Sequence, residues 1–202
     1  HTAPIELRER VALPDGELHD TLRALAAEGG FGETVLVSTC NRVEIYASGE
    51  STGELIRAAR AHLTARAGGD IGDVLYERHG DEAVRHAFRV AASLDSLVVG
   101  EPQILGQLKD AYQAACDTGT VGSLLGRCFT RAFAVAKRVR SETGIAEGTV
   151  SVSSIAIELA KKIFGDLDGR RALLLGAGEM GEAAAKSLAQ TGATLRVVNR
   201  SA

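Results

Sequence analysis

Hydrophobic positions recur with the spacing of an amphipathic helix through most of the chain. In residues 15–28 the apolar side chains fall at intervals of three and four, which places Leu18, Leu22 and Leu25 on one face. The same periodicity predicts further helices over residues 53–67, 81–92, 123–141 and 151–164, and one that follows Pro102. Asp81 is expected to be the N-cap of its helix. Helix is therefore predicted to dominate this part of the chain.

Two short runs rich in β-branched residues interrupt the helical pattern. Residues 33–39 and 43–47 each have the length and composition of a strand. Cys40 is therefore predicted to lie between two strands. Further along, Gly100 and Pro102 break the helical periodicity, which predicts a loop that leads into the next helix.

The pattern changes after about residue 168. Residues 171–175 predict a buried strand, residues 182–191 a helix and residues 194–198 a second strand, which together form one βαβ unit. The segment between the first strand and the helix has the glycine pattern G-x-G-x-x-G, and its residues are Gly176, Ala177, Gly178, Glu179, Met180 and Gly181. These features predict an α/β fold.

The glycine pattern in this context predicts dinucleotide binding. Its first glycine allows a tight turn, the second lets the backbone approach a pyrophosphate, and the third lets helix and strand pack closely. A glycine-rich turn without a ligand is the alternative. At the end of the second strand, Arg200 and Ser201 replace the acidic residue that usually binds the ribose of NAD. NADP(H) is therefore favoured over NAD(H), unless Arg200 is only an exposed side chain.

Composition and charge exclude several classes of protein. Hydrophobic residues make up 45% and charged residues 24%, as in ordinary globular proteins, and a net charge of −3 gives no general attraction for nucleic acid. Three widely spaced cysteines indicate a reducing compartment and no zinc site. No apolar run approaches the roughly 20 residues of a membrane span, and no leader is evident, so we expect a cytoplasmic protein without a membrane segment or a metal.

Because the chain begins at His1 and ends directly after a predicted strand, we expect a fragment.

Cys40 is the candidate nucleophile. Polar residues flank it, and a nearby guanidinium such as that of Arg42 can lower the pKa of a thiol, whose thiolate accepts acyl groups. The alternative is that Cys40 packs under a turn. Cys116 and Cys128 fall on helical apolar stripes and are expected to belong to the core.

Other polar residues are weaker candidates. His86 lies on the polar side of its helix and could act as an acid or base, although a histidine that faces solvent is the commoner case. Segment 93–107, where a loop meets the helix that follows Pro102, offers polar ligands at Ser96, Glu101, Gln103 and Gln107, although helix capping and solvation would also account for them. One helix has a basic face that could contact RNA phosphates or could simply be solvated, and its residues are Arg127, Arg131, Lys137, Arg138 and Arg140.

Taken together, the motifs resemble those of glutamyl-tRNA reductases. They are STCNRVEIY at 38–46, SLDSLVVGEPQILGQ at 93–107, AKRVR at 136–140 and the glycine loop, in the family's order. The resemblance implies the first step of tetrapyrrole biosynthesis by the C5 route to porphyrins and heme. In that step NADPH reduces glutamyl-tRNA to glutamate-1-semialdehyde through a cysteine thioester, and tRNA is released.

The resemblance also assigns roles to residues. It implies that Cys40 and His86 are catalytic and that the glycine loop binds NADPH. The substrate-binding residues that it implies are Thr39, Cys40, Asn41, Arg42, Ser96, Glu101, Pro102, Gln103 and Gln107. Arg42 is the natural partner for the glutamate carboxylate. His1 directly precedes Thr2, which departs from the family's usual start.

We therefore expect an N-terminal catalytic, glutamyl-tRNA-binding domain over residues 1–145, a linking helix over 146–167 and the start of a Rossmann NADP-binding domain over 168–202. The resemblance implies a homodimer through a helical domain that is not in this sequence, and an aminomutase that receives the aldehyde. Two alternatives remain at this point. One is another cysteine-dependent reductase of acyl thioesters or aldehydes, and the other is a tRNA- or nucleotide-binding module without catalysis.

Overall fold

A computed structural model describes residues 3–14, 16–28, 30–96, 98–146 and 152–199. The chain divides into two compact units, residues 1–147 and residues 148–202. His1, which the sequence comparison with the family singled out, lies outside the described residues. None of the helices in the described ranges is both long enough and apolar enough to span a membrane.

The first unit contains six α-helices, two short 3-10 helices (Gly72–Val74 and Gly144–Ala146) and two strands in its described part. The bounds of the α-helices and strands in chain order are α1 Ile5–Val11, α2 Leu18–Ala27, β1 Glu33–Ser38, β2 Val43–Ser48, α3 Thr52–Ala67, α4 Asp81–Ala91, α5 Gln103–Asp117 and α6 Ser123–Glu142. The helices that the apolar periodicity predicts are confirmed to within a few residues. Helix α1 was not predicted, because its seven residues are too short for a clear period.

Strand β1 lies at the centre of the first unit. It pairs antiparallel with β2, from Glu33 opposite Ser48 to Ser38 opposite Val43. Its residues 34–37 are all buried, because helices α2, α5 and α6 pack against it. The largest fully buried side chains around it include Phe129, Leu22 and Leu108. Burial of these apolar side chains is the main source of stability for the unit.

Three local expectations were wrong or need adjustment. Asp81 is the first residue of α4 and Gly80 is the N-cap, with no side-chain capping bond, so Asp81 acts at most through its charge near the helix N-terminus. Cys116 is exposed, because it lies one residue, or about 100° of helical rotation, past the buried Ala115. Cys128 is half-buried rather than fully buried.

The second unit contains a βαβ element. Strand β3 Arg171–Leu175 pairs parallel with β4 Thr194–Val198, and helix α8 Glu179–Ala189 connects them. Helix α7 Val152–Phe164 packs against α8 within this unit. The predicted βαβ order is confirmed, although α8 begins three residues earlier than the periodicity indicates, directly after Gly178.

Glu33 at the start of β1 caps the N-terminus of α6. Its Oε1 accepts a hydrogen bond from the backbone N–H of Leu124 at 2.9 Å, and its Oε2 accepts one from that of Leu125 at 2.7 Å. The first N–H groups of a helix have no partner within the helix, and a carboxylate is favoured at this end. This contact therefore fixes α6 to the strand that precedes Cys40.

We expect Glu33→Gln to lower the free energy of unfolding of the first unit by about 1 kcal/mol, because one of the two charged acceptors is lost. Urea unfolding followed by circular dichroism measures the change. Glu50→Gln, at an exposed loop carboxylate, is the matched control. Equal stability of the two variants would show that the cap does not contribute.

Candidate active site

The site begins with a short turn between β1 and β2. Thr39 Oγ1 accepts hydrogen bonds from the backbone N–H groups of Asn41, at 3.2 Å, and Arg42, at 3.1 Å. The backbone N–H of Thr39 donates to the carbonyl oxygen of Arg42 at 2.8 Å, which closes the turn. Threonine and asparagine favour such turns because their side chains bond to nearby backbone groups. Cys40 is exposed within this turn.

Arg42 points from the end of this turn into the protein. Its Nη1 donates to Glu44 Oε1 at 2.9 Å, while its Nη2 donates to the carbonyl oxygen of Asp95 and lies 3.4 Å from Asp95 Oδ2. The side chains of Arg42 and Glu44 are each 7% exposed. Burial by itself lowers the pKa of Arg42, but the charges around it, with that of Glu44 the strongest, raise the pKa above its ordinary value.

Glu44 accepts hydrogen bonds from four side chains. Its Oε1 receives bonds from Arg42, from the Tyr76 hydroxyl and from His86 Nε2 at 3.1 Å, and its Oε2 receives one from the Tyr46 hydroxyl at 2.5 Å. Burial opposes ionisation of this carboxyl. The bond to His86 and the charge of Arg42 outweigh burial and lower the pKa of Glu44 from 4.5 to about 2. Glu44 is therefore a carboxylate at neutral pH.

His86 is part of this network. The expectation that its side chain faces solvent was therefore wrong. Its side chain is 13% exposed, and its ring lies near those of Tyr46 and Tyr76. Because Glu44 is ionised, the hydrogen bond assigns the proton of the neutral ring to Nε2 and leaves Nδ1 as an acceptor. The contacts that the structure gives His86 are with Glu44, Tyr46 and Tyr76; a direct pairing with Cys40 is not among them.

Burial of the two tyrosines favours their neutral forms. It raises the pKa of Tyr46 and that of Tyr76, and the neighbouring Glu44 charge raises both further. Each hydroxyl therefore remains a donor to Glu44 across the physiological range. Of the four side chains that contact Glu44, sequence reasoning singled out Arg42 and His86. Glu44 and Tyr46 were missed, although both belong to the 38–46 motif. The available signal for Glu44 was its charge, two residues after Arg42 in a strand, because a buried charge needs a partner.

The loop between α4 and α5 is fixed by two side chains. Ser93 is fully buried in a left-handed conformation, with φ of 59°, and its hydroxyl donates to the carbonyl oxygen of Glu101 at 2.7 Å. Arg140 Nη1 donates to the carbonyl oxygens of Gly100, at 3.0 Å, and Glu101, at 3.4 Å. Arg140 therefore binds this loop, which corrects the expectation that it belongs to the basic face of its helix.

The same loop contributes to the site through Asp95, whose carbonyl and carboxylate both contact Arg42. The hydroxyl oxygen of Ser96 is buried and has no hydrogen-bond partner in the described part of the chain. Glu101, Gln103 and Gln107 are half-buried. Pro102 is exposed and occupies the N-cap position of α5, without a side-chain capping bond. Within the described residues, no side-chain hydrogen bond joins these last four residues to the Cys40 turn, so their substrate contacts stay a prediction.

A small cavity of about 140 Å³ opens beside Arg42. Its polar wall consists of Arg8, Asn41, Arg42, Tyr76 and Asp95, and its apolar wall includes Leu7, Val11, Val43, Leu63 and Ile71. A wider surface depression of about 550 Å³ lies elsewhere, between Glu28 and Arg57, and shares no residue with the Cys40 turn. Because a ligand site combines an apolar wall with a few convergent polar groups, the smaller cavity is the candidate site.

The glycine loop of the second unit has the geometry for a nucleotide. Gly176 has φ of +102°, which favours glycine, and its N–H donates to the carbonyl oxygen of Val198 at 2.8 Å. A Cβ at Gly181 would lie 2.6 Å from the Gly176 carbonyl oxygen, so only glycine permits this helix–strand contact. A Cβ at Gly178, the N-cap of α8, would meet nothing within 4 Å. The backbone is thus open to a pyrophosphate at the helix N-terminus.

Some predicted cofactor residues lie beyond what the structure describes. Arg200 and Ser201 are outside the described residues, as are the side chains of Glu179 and Met180. Ala177 lies in the loop between the first two glycines.

Comparison with known proteins points to one family for most of the chain. Residues 1–143 match the family model for the N-terminal domain of glutamyl-tRNAGlu reductase, and residues 158–202 match the shikimate / quinate 5-dehydrogenase model. The chain is 50% identical to glutamyl-tRNA reductase from Sorangium cellulosum over 99% of the chain and 42% of that relative. It is 48% identical to the one from Aquifex aeolicus over 98% of the chain and 49% of that relative.

A solved structure of a relative is also similar. Glutamyl-tRNA reductase from Methanopyrus kandleri superposes with a TM-score of 0.65 at 40% identity, over 99% of this chain and 47% of that one. The chain thus spans about half the length of the curated relatives it matches.

The lowered pKa of Glu44 predicts a pH dependence of stability. A carboxyl whose folded-state pKa is below its unfolded value stabilises the fold above the unfolded pKa, and that stabilisation is lost as pH falls from about 4.5 towards 2. We expect Glu44→Gln to be about 3 kcal/mol less stable at pH 7, because Arg42 loses a buried partner. We also expect its stability to fall less than that of the wild type across this pH range.

Urea titrations at several pH values measure both effects, with Glu50→Gln as the control. Parallel pH profiles for the wild type and Glu44→Gln would contradict the assigned ionisation.

Proposed function

Because this chain belongs to the glutamyl-tRNA reductase family, we propose that it takes part in the NADPH-dependent reduction of glutamyl-tRNA to glutamate-1-semialdehyde, the first step of tetrapyrrole biosynthesis. The single observation that carries the proposal is the exposed Cys40 in a turn fixed by Thr39 and by the buried Arg42–Glu44 pair. A nucleophile that attacks a bulky aminoacyl-tRNA must be accessible and held in place.

The proposed chemistry uses the Cys40 sulfur twice. The thiolate attacks the ester carbonyl carbon, the bond from that carbon to the ribose oxygen breaks, and the tRNA leaves as an alcohol after it gains a proton. The resulting thioester accepts the hydride that a bound nicotinamide supplies. Cleavage of the carbon–sulfur bond then frees the aldehyde and restores the thiolate. A thioester is easier to reduce than a carboxylate, which explains why a covalent route suits this reaction.

His86 is the proposed acid–base group. Among the described residues it is connected to the Cys40 turn through Glu44 and Arg42, and in the neutral ring with its proton on Nε2, Nδ1 is the acceptor. Glu44 orients the imidazole and fixes its tautomer, as a carboxylate does in other acid–base pairs. Binding of the glutamyl group is assigned to residues of the turn and of the loop before α5, namely Thr39, Cys40, Asn41, Arg42, Ser96, Glu101, Pro102, Gln103 and Gln107.

The cofactor is a nicotinamide nucleotide, which fits the glycine loop and the family. We assign NADPH, because Arg200 and Ser201 replace the acidic residue that favours NAD.

Family membership supports three further assignments for the whole protein: a homodimer, transfer of the aldehyde to an aminomutase, and a cytoplasmic location. We further propose that residues 1–145 form the catalytic domain, residues 146–167 the linking helix and residues 168–202 the start of the NADP-binding domain.

We expect wild-type protein mixed with glutamyl-tRNA in the absence of NADPH to gain one glutamyl group at Cys40, and Cys40→Ser to gain none. Intact-protein mass spectrometry before and after hydroxylamine, which cleaves thioesters, measures the adduct. Cys116→Ser is the matched control, because Cys116 is a second exposed thiol.

The experiment is done with this chain and with the full-length protein. An adduct on the full-length protein alone would show that binding needs residues beyond this chain. Absence of an adduct on both would contradict a covalent mechanism at Cys40 and favour a binding module. An adduct from acyl thioesters without tRNA would favour the other class of reductase.

The exposed basic residues of α6 form a proposed contact surface for tRNA. Arg127, Arg131 and Arg138 share one face of the helix at spacings of four and seven, and all three are exposed. Arg138 also pairs with Glu142 on the same helix, and Lys137 is exposed beside this face. Because phosphates attract guanidinium groups, this surface suits the backbone of a nucleic acid that the net charge of −3 would otherwise repel.

We expect Arg127→Gln with Arg131→Gln to weaken binding of glutamyl-tRNA and to reduce the slope of log affinity against log salt by about 2, one for each lost phosphate contact. Filter binding to the full-length protein at several salt concentrations gives the slope. Lys109→Gln, on the exposed face of α5, is the control. An unchanged slope in the double variant would remove this surface from the tRNA interface.

A further inference from the structure

Tyr76 is an aromatic side chain that is fixed at one end and still accessible to solvent. Its hydroxyl donates to Glu44 Oε1, and its ring contacts the ring of His86 in a T-shaped arrangement with 5.5 Å between the centroids. The residue is nevertheless 50% exposed. Because the polar tip is bonded to a buried carboxylate, this exposure leaves ring surface open to a partner. Tyr76 therefore presents a planar surface in a fixed orientation.

The segment that contains Tyr76 is also fixed from a second side. Glu77 accepts a hydrogen bond from Arg60 Nε of α3 at 2.5 Å, which joins the segment to that helix. A group that is already held in its binding orientation loses less conformational entropy when a ligand binds. The ring of Tyr76 is thus suited to bind a flat partner without rearrangement of the backbone.

Arg78 places a positive charge beside this ring. Its guanidinium carbon lies 5.4 Å from the centroid of the Tyr76 ring, and its Nη1 donates to the carbonyl oxygen of Glu77 at 3.0 Å. Within the described ranges of the chain, no carboxylate forms an ion pair with Arg78. The charge of Arg78 is therefore available to an anion that binds next to Tyr76.

This pair of side chains borders the candidate active site. Tyr76 lines the same cavity as Asn41 and Arg42, and Asn41 follows Cys40 in the turn. In an aminoacyl-tRNA, the ester joins the glutamyl carbonyl carbon directly to the ribose of the terminal adenosine. That nucleoside must therefore lie beside the turn while the Cys40 sulfur attacks the ester.

The terminal adenosine has the chemistry that Tyr76 and Arg78 can bind. Its base is planar and neutral, and bases of single-stranded RNA stack on aromatic side chains. The phosphate on its 5′ side is the nearest anion, and guanidinium groups bind phosphate oxygens. A neutral base also adds no charge beside Arg42 and Glu44, whose charges are already paired.

We propose that Tyr76 and Arg78 form the subsite for the terminal adenosine of the tRNA. The adenine base stacks on the ring of Tyr76, and the guanidinium of Arg78 moves from the ring to the phosphate that precedes this nucleoside. The glutamyl group then lies towards Arg42, and the ester is held between the two positions. This assignment rests on the proposed function and deepens it.

The test measures the rate of Cys40 acylation in the full-length protein, by mass spectrometry and without NADPH. Three substrates are compared: glutamyl-tRNA, 2′(3′)-O-glutamyl-adenosine, which lacks the phosphate, and glutamyl ethyl ester, which also lacks the nucleoside. The variants are Tyr76→Leu, Tyr76→Phe and Arg78→Gln. Arg57→Gln is the control, because Arg57 is exposed on α3 in the depression that shares no residue with the Cys40 turn. Circular dichroism establishes that each variant is folded.

We expect Tyr76→Leu to lower the ratio of kcat/KM for glutamyl-adenosine to kcat/KM for the ethyl ester by about 10-fold, because the stacking surface is lost. Tyr76→Phe keeps the ring and should keep the wild-type ratio, although loss of the bond to Glu44 lowers both rates. If Tyr76 only positioned Glu44 and His86, Tyr76→Leu would lower both substrates alike, and that result would overturn the assignment.

We expect Arg78→Gln to lower kcat/KM for glutamyl-tRNA by about 10-fold, through loss of a phosphate contact, and to leave the rate with glutamyl-adenosine unchanged. Arg57→Gln should match the wild type with both substrates. An unchanged rate of Arg78→Gln with glutamyl-tRNA, or an equal loss with glutamyl-adenosine, would remove Arg78 from the subsite.

Binding of the trinucleotide CCA, measured by equilibrium dialysis, tests the subsite without any acylation. The wild type and Tyr76→Phe should bind it alike, and Tyr76→Leu should bind it about 10-fold more weakly. Equal affinities of all three proteins would overturn the subsite, while the adduct on wild-type Cys40 still supported the proposed function. Absence of that adduct would instead contradict the proposed function itself.

Discussion

The arrangement of the first unit depends on the buried ion pair between Arg42 and Glu44. Each side chain is only 7% exposed, and an unpaired charge at such a position would be strongly unfavourable. The pair therefore requires further partners, and they come from distant parts of the chain. Asp95 belongs to the loop before α5, His86 to α4 and Tyr76 to the segment between α3 and α4. The Arg42–Glu44 pair thus connects the hairpin to three other segments, one through Arg42 and two through Glu44.

In this network the reactive side chain is exposed and the side chains that hold it in place are buried. Cys40 is exposed and can meet a large substrate, whereas the residue two positions later is buried and firmly bonded. Thr39 fixes the turn itself, because its hydroxyl oxygen accepts hydrogen bonds from the backbone N–H groups of Asn41 and Arg42. The loop before α5 is fixed in a similar way from its other side, by Ser93 and Arg140. A site built on such supported elements keeps its reacting groups in place, which is a general condition for catalysis.

The glycine loop of the second unit differs from the Cys40 site, because residues close together in the sequence fix its geometry. Gly176 and Gly181 are five residues apart, and the contact that excludes a side chain at Gly181 is with the carbonyl oxygen of Gly176 itself. The backbone conformation and the helix N-terminus that would face a pyrophosphate are therefore specified within one short segment. The residues that we propose to select NADPH over NADH, Arg200 and Ser201, come later in the sequence and lie outside the described residues.

The sequence by itself determined the helices with clear apolar stripes, the two strands around Cys40, the βαβ order and the glycine loop. Each of these depends on residues close together in the chain, so periodicity and turn composition report them directly. Tertiary structure decided the rest. His86 is bonded to Glu44, Arg140 binds the loop and not solvent, Cys116 is exposed, and Arg8 reaches Asn41 from a helix too short to predict. Those pairings join residues 33 to 42 positions apart, and a local pattern cannot encode which distant partner will share a buried charge or hydrogen bond.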